Sequence, residues 1–227
     1  MSAFMKTFAR IIQFVQRLFA GTRQQRRQAR YQLMMQARGI DLRQNSVEDP
    51  GLDQTRAEAH GSSGGPGLEV VLDALNISPE DSVLDLGCGK GGAMITMARW
   101  TFSRVDGVEI SHTMIEIAQR NLKRLNCVRG TISQGDAADF KDLDAYTLLY
   151  MYNPFPAVVM RSVLDNLQAS QVRRPRRLRL VYMNPVLHDL TVEAGFRQTH
   201  HFNHRVPPFR VYECVCRLID KAWRACW

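Results

Sequence analysis

The residues best suited to chemistry lie around Asp85-Leu86-Gly87-Cys88-Gly89-Lys90-Gly91-Gly92, with further acids at Glu109 and Asp136. Glycines let a backbone turn sharply and approach a ligand with no Cβ in the way, and carboxylates accept hydrogen bonds from hydroxyl and amino groups. Together they suit a nucleotide-type ligand. Glu109 can accept two hydrogen bonds from a ribose diol, a use of an acid that dinucleotide-binding proteins share. The spacing Gly87, Gly89, Gly92 also satisfies G-x-G-x-x-G, so the glycines alone do not separate a dinucleotide site from other nucleotide sites.

These groups need elements to hold them. Ser82 to Leu86 has the length and composition of a buried parallel strand, and Ala93 to Trp100 reads as a helix packed back on it. A second strand covers Arg104 to Ile110. Ser111 is then a natural N-cap, with Ile115, Ala118, Leu122 and Leu125 recurring at helical spacing. Strands follow at Gly130 to Gln134, Ala145 to Tyr152 and Arg177 to Met183, with helices over 155–167 and 186–194 and a stop at Gly195. Two last strands, Phe196 to Asn203 and Arg210 to Leu218, form an antiparallel hairpin. Asp85, Glu109 and Asp136 thus fall at the carboxyl ends of three successive strands, the ligand-binding edge of an open α/β sheet.

The pattern D-x-G-x-G-x-G formed by Asp85, Gly87, Gly89 and Gly91 resembles the first motif of class I S-adenosylmethionine-dependent methyltransferases. The resemblance covers about Asp81 to Leu218. It implies a Rossmann-like, seven-stranded, mostly parallel sheet flanked by helices, and S-adenosylmethionine as cofactor. It further implies that Asp85 holds the ammonium end of the cofactor, Glu109 the ribose and Asp136 the adenine amino group, with Gly87, Cys88, Gly89, Ile110 and Ala137 beside them. Asn153-Pro154-Phe155-Pro156 resembles the N-P-P-[YF] motif of members that methylate nitrogen, in which the asparagine and a backbone carbonyl hold the target amine and the aromatic ring stacks on it. Here the aromatic residue comes one place early. The other reading is a strand-to-helix turn with Pro156 near the first helical position.

Length and composition set the frame: 227 residues, 45% of them hydrophobic, suffice for one α/β core with an added segment. Residues 1–40 hold eight basic residues and no acid, and the whole chain is +8, so residues 41–227 are neutral in sum. Phe4, Phe8, Ile11, Val15 and Leu18 recur at helical spacing, which makes the start of the chain a basic amphipathic helix. Such a helix can cover the body or a partner protein, lie on an anionic membrane surface, or act as an organelle transit segment. Its longest uncharged run, six residues between Arg10 and Arg17, is too short to span a bilayer. The expected organisation is a helical extension over 1–48, a linker or cofactor-covering segment over 49–67, and the methyltransferase domain over 68–227.

Arg173, Arg174, Arg176, Arg177 and Arg179 enter the fifth strand opposite the ligand edge and read as a solvated turn. A neutral body without an added recognition module disfavours nucleic acid. The five cysteines have no disulfide framework, and Cys214-x-Cys216 with His200-His201-x-x-His204 matches no specific metal-ligand spacing, so no metal is expected. The composition fits a cytoplasmic protein, peripheral at a membrane if the extension binds lipid. Two other functions stay open: a non-catalytic scaffold that captures the cofactor, and an NAD-dependent oxidoreductase. The acceptor and the oligomeric state are not specified by the sequence.

Overall fold

The computed structural model describes residues 22–43, 63–127, 130–153, 155–203 and 207–215. The predicted helix over residues 4–19, most of the 49–67 segment, Pro154, His204 and Cys216 lie outside the described residues. In chain order the elements are α1 (Arg23–Ala37), α2 (Pro66–Ala74), β1 (Ser82–Leu86), α3 (Gly92–Met97), β2 (Arg104–Glu109), α4 (His112–Arg124), β3 (Ile132–Gln134), β4 (Leu148–Tyr152), α5 (Ala157–Arg173), β5 (Arg179–Met183), α6 (His188–Glu193), β6 (Phe196–Phe202) and β7 (Phe209–Cys214). The strands form one seven-stranded sheet in the order β3-β2-β1-β4-β5-β7-β6. It is parallel from β3 through β5, and β7 runs antiparallel to both β5 and β6. The expected Rossmann-like sheet with an antiparallel hairpin is therefore what the chain forms.

Alternation along the central strands divides the core in two. Val83, Tyr150, Val181, Met183 and Val211 face a layer that includes Tyr31 and Met35 of α1, Leu68 and Leu72 of α2, Met94 and Met97 of α3 and Leu122 of α4. Leu84, Leu86, Leu149, Met151, Leu180 and Tyr182 face Val159, Met160, Val163, Leu164 and Leu167 of α5. With helices on both faces, every residue of β1 and β5 is buried, which is why these strands read as near-continuous apolar runs.

Three features differ from the sequence expectations. β4 begins at Leu148 because the two residues before it are used as polar staples: the Tyr146 hydroxyl donates to Asp106 at 2.7 Å and the Thr147 hydroxyl to Asp81 at 2.7 Å. The arginine cluster is a solvated turn only in part: Arg173, Arg174 and Arg177 are exposed, whereas Arg176 is half-buried and Arg179 buried. Arg176 donates to the carbonyls of Leu143, Tyr146 and Arg174, Arg173 pairs with Asp144, Arg177 with Glu213, and the buried Arg179 with Asp81 at 2.5 Å. Arg173 and Arg174 thus fasten the end of α5 to Asp144, while Arg177 and Arg179 fasten the start of β5 to Glu213 and Asp81. Finally, α1 is a distinct helix inside the basic extension. Thr22 and Gln25 close its amino end in a reciprocal capping box, and its inner face is part of the core.

Candidate active site

The site is built at the carboxyl ends of β1, β2 and β4. After β1 the chain turns so that the amides of Gly87 and Cys88 both donate to the Val108 carbonyl, at 2.9 and 3.0 Å, which ties the glycine loop to β2. Gly91 then caps α3 in a left-handed conformation, φ +78°, which a residue with a Cβ adopts only at a cost. At Gly89 an added Cβ would point into open space, so this part of the loop presents bare backbone to the ligand edge.

Glu109 at the end of β2 is buried, and its two oxygens accept from the amides of Gly89 at 2.8 Å and Ser111 at 3.0 Å. It joins the glycine loop to the start of α4, where Ser111 caps the Met114 amide as predicted. Each oxygen keeps a second lone pair, so the carboxylate can still accept from two ribose hydroxyls. Asp136 follows β3 and accepts from the Ala138 amide at 2.8 Å, a local turn that fixes the direction of its carboxylate. Ile110 and Ala137 immediately follow Glu109 and Asp136, and Ala137 is buried in the core beside α5.

Asp85 differs from the other two acids. It is 2% exposed, and its Oδ2 has no hydrogen-bond partner among the described residues. Burial, with a smaller contribution from the Glu109 charge, pushes its carboxyl well above the usual range. The same causes, burial first and then Asp85 and Glu109, raise the Cys88 thiol. A buried carboxyl oxygen left without a partner is costly unless a cationic or donating group meets it. The ammonium group of S-adenosylmethionine supplies one, so the residues present fit the cofactor that the motif implies.

Sequence reasoning missed two groups that hold this loop. Asn121, buried in α4, accepts from the Asp41 amide at 3.0 Å and donates to the carbonyls of Asp41 and Lys90, each at 3.0 Å. Lys90, inside the glycine loop, reaches Asp41 Oδ2 at 3.3 Å and the Arg43 carbonyl at 2.9 Å. Burial raises the Asp41 carboxyl, but the Arg43 hydrogen bonds and the Lys90 ammonium outweigh it and leave the carboxyl below its ordinary value. Residues 39–43, which follow α1, are thereby strapped to the cofactor loop. The second group holds the start of α2: Tyr150 donates to the Ser63 carbonyl at 3.2 Å, and the Gly65 amide donates to Thr96 at 2.8 Å. A Cβ at Gly64 would lie 2.1 Å from the Gly92 carbonyl, so the 63–65 segment touches α3 directly.

Asn153 follows β4 at φ +37°, and its Oδ1 accepts from the Tyr182 hydroxyl at 3.1 Å. Phe155 is 8% exposed and packs in the core that α5 covers, which gives its ring a packing role. Tyr150 is fully buried, and burial followed by the Asp85 charge holds its hydroxyl well above the ordinary value. Among the described residues no cluster of three or more His, Cys, Asp or Glu is placed to hold a metal ion.

A glycine loop between a buried acid and a helix start, three acids on successive strand ends and this strand order define a class I methyltransferase fold. Residues 83–174 match a family described as "Methyltransferase domain", which supports a class I S-adenosylmethionine-dependent methyltransferase. It is 36% identical over 70 residues to a probable cobalt-precorrin-6B C(15)-methyltransferase (decarboxylating) of Methanococcus maripaludis, a stretch covering 31% of this chain and 38% of that protein. It is 30% identical over 105 residues to phosphoethanolamine N-methyltransferase 1 of Arabidopsis thaliana, covering 45% and 20%. The chain thus spans less than two fifths of the length of either relative. In fold it is similar to an S-adenosylmethionine-dependent O-methyltransferase of Thermotoga maritima, with TM-score 0.55, 17% identity and coverage of 70% of this chain and 68% of that one. A second similar structure is an S-adenosylmethionine-dependent methyltransferase of Aquifex aeolicus, with TM-score 0.52, 16% identity and coverage of 64% and 87%. Nothing in these similarities supports the scaffold or oxidoreductase alternatives.

Proposed function

We propose that this chain transfers a methyl group from S-adenosylmethionine to a nitrogen of its acceptor, which is a small molecule, a lipid headgroup or a protein side chain. The observation that carries the reading is the unpartnered Asp85 Oδ2 at the same strand edge as Glu109, Asp136 and Asn153. In the bound state Asp85 holds the ammonium group, Glu109 the ribose and Asp136 the adenine. The cofactor supplies an activated carbon for in-line displacement. The protein's task is then position and the exclusion of water.

Asn153 would orient the acceptor. Its Oδ1 is fixed by Tyr182 and retains a lone pair for an acceptor N–H, which points the nitrogen lone pair at the incoming carbon. A neutral amine attacks without a general base. The departure from N-P-P-[YF] matters here, because with Phe155 in the core the acceptor is held through Asn153 and the backbone without ring stacking at that position.

The test is transfer of labelled methyl from S-adenosylmethionine into a cell extract, separated into protein, lipid, nucleic-acid and small-molecule fractions, for wild type and Glu109→Ala. Label in one fraction, lost in the variant, supports the reading and names the acceptor class. Cofactor binding with no label in any fraction overturns it in favour of a scaffold.

A further inference from the structure

α1 buries Ala29, Tyr31 and Met35 against the body, which leaves Arg23, Arg26, Arg27 and Arg30 exposed on its outer side. Leu33 and Met34 continue the same side, each 41% exposed. These positions recur three and four residues apart and form one stripe about 17 Å long, basic at its amino end and apolar at its carboxyl end. Arg27 reaches Glu69 of α2 at 3.7 Å, whereas Arg23, Arg26 and Arg30 make no ion pair among the described residues. α1 contains no acidic residue, nor do the residues before it.

Because α1 is fastened to the body through its inner face, the outer stripe faces away from the core, and its composition indicates the kind of surface it suits. Guanidinium groups bind phosphate in a fork geometry, which suits lipid and nucleic acid alike. Leu33 and Met34 at the end of the stripe suit only a partner that also offers hydrocarbon. The sequence just upstream repeats the combination, with Phe4, Phe8, Ile11, Val15 and Leu18 interleaved with Lys6, Arg10 and Arg17. All of the chain's excess positive charge lies within residues 1–40, as expected for a surface that meets an anionic plane on one side only.

We infer that the outer face of α1 docks the chain on an anionic lipid bilayer, with Arg23, Arg26 and Arg30 at the phosphate level and Leu33 and Met34 in the upper acyl region. The last turn of α1 leads through Gly39 and Ile40 to Asp41, so docking brings the glycine-loop rim close to the lipid surface. The proposal is independent of the acceptor assignment, because binding is read without methyl transfer.

The experiment is co-sedimentation of the full chain with vesicles of phosphatidylcholine alone and of phosphatidylcholine mixed with phosphatidylglycerol, at low and high salt. Binding only to the anionic vesicles, weakened by salt, is expected. Each basic residue near an anionic surface contributes roughly five-fold in affinity, so R23E/R26E/R30E should lose about 100-fold or more. L33S/M34S should weaken binding while leaving its salt dependence unchanged. All altered positions are exposed, so both variants should melt like wild type. Failure of the full chain to sediment with either vesicle, equal binding to both, or undiminished binding by the triple variant would overturn the proposal. RNA binding lost in that variant, with no vesicle binding, would replace it with a nucleic-acid surface.

Discussion

The carboxylate of Glu109 reaches from the end of β2 to the amide of Gly89, 2.8 Å away, so the acid expected to hold the ribose also shapes the loop that faces it. Glu109→Gln keeps the size of the side chain and removes its charge. Charge-assisted hydrogen bonds contribute about 1.5–3 kcal/mol, so affinity for S-adenosylhomocysteine should fall by about 10- to 150-fold. Isothermal titration reads this directly, and unchanged affinity in a folded variant removes Glu109 from the cofactor site.

Asp85 links stability to binding with opposite signs. Its folded-state carboxyl is raised by burial and by Glu109, so between the unfolded value and the folded one the unfolded chain releases a proton that the folded chain retains. Stability is therefore undiminished at acid pH and falls as pH rises through that window. Asp85→Asn lacks this fall. Its apo form should melt about 2–6 °C above wild type near neutral pH, with the difference vanishing toward pH 4. Cofactor affinity should change the other way: wild type binds more tightly as pH rises and Asp85 ionises against the ammonium, while the variant binds weakly at every pH. Thermal melts and binding isotherms across pH check both signs.

Asn121→Ala removes the three hydrogen bonds that join Asp41 and the Lys90 carbonyl to α4. A buried polar group left unsatisfied costs about 1–3 kcal/mol, so the variant should lose that much stability and bind the cofactor more weakly through a looser glycine loop. Amide hydrogen exchange should rise at Gly87 to Gly91 and around residues 39–43 together. Faster exchange in only one of the two segments would show that they are not coupled.

Tyr182→Phe leaves Asn153 Oδ1 without the Tyr182 donor and keeps the ring in the core that already holds it. Turnover should fall by about 10-fold, and in Asn153→Ala by about 100-fold, the scale at which misplacing a reacting group costs rate. Cofactor affinity should stay near wild type in both. Steady-state kinetics beside a binding measurement separates the two effects, and a loss of binding equal to the loss of rate would move Asn153 out of the acceptor site.

The parallel core was legible because fully buried strands such as Ser82–Leu86 and Arg179–Met183 show as apolar runs, and because Asp85 and Glu109 stand at the carboxyl ends of buried strands. Long-range polar partners were not. Nothing local to Arg176 or Arg179 indicates that they close carbonyls and an ion pair from other elements, so a run of arginines read as solvent-facing. Asn121 did carry a signal, since it stands three residues after Ala118 beside Leu122 on the buried side of α4, where an unpaired amide would be costly. The orientation of Phe155 depends on how α5 meets the sheet, which no motif records.

Lys90 lies between Gly89 and Gly91, and its ammonium is held by the chain segment that leaves α1. The outer helix and the cofactor loop therefore share one set of bonds, and linkage between them runs both ways. Whatever steadies the loop through these bonds also favours the docked helix, and whatever lifts the helix loosens the loop by the same free energy. A surface that bound α1 more tightly with the loop ordered than with it loose would act as an effector of the site, and occupancy of the site would strengthen its hold on α1 equally.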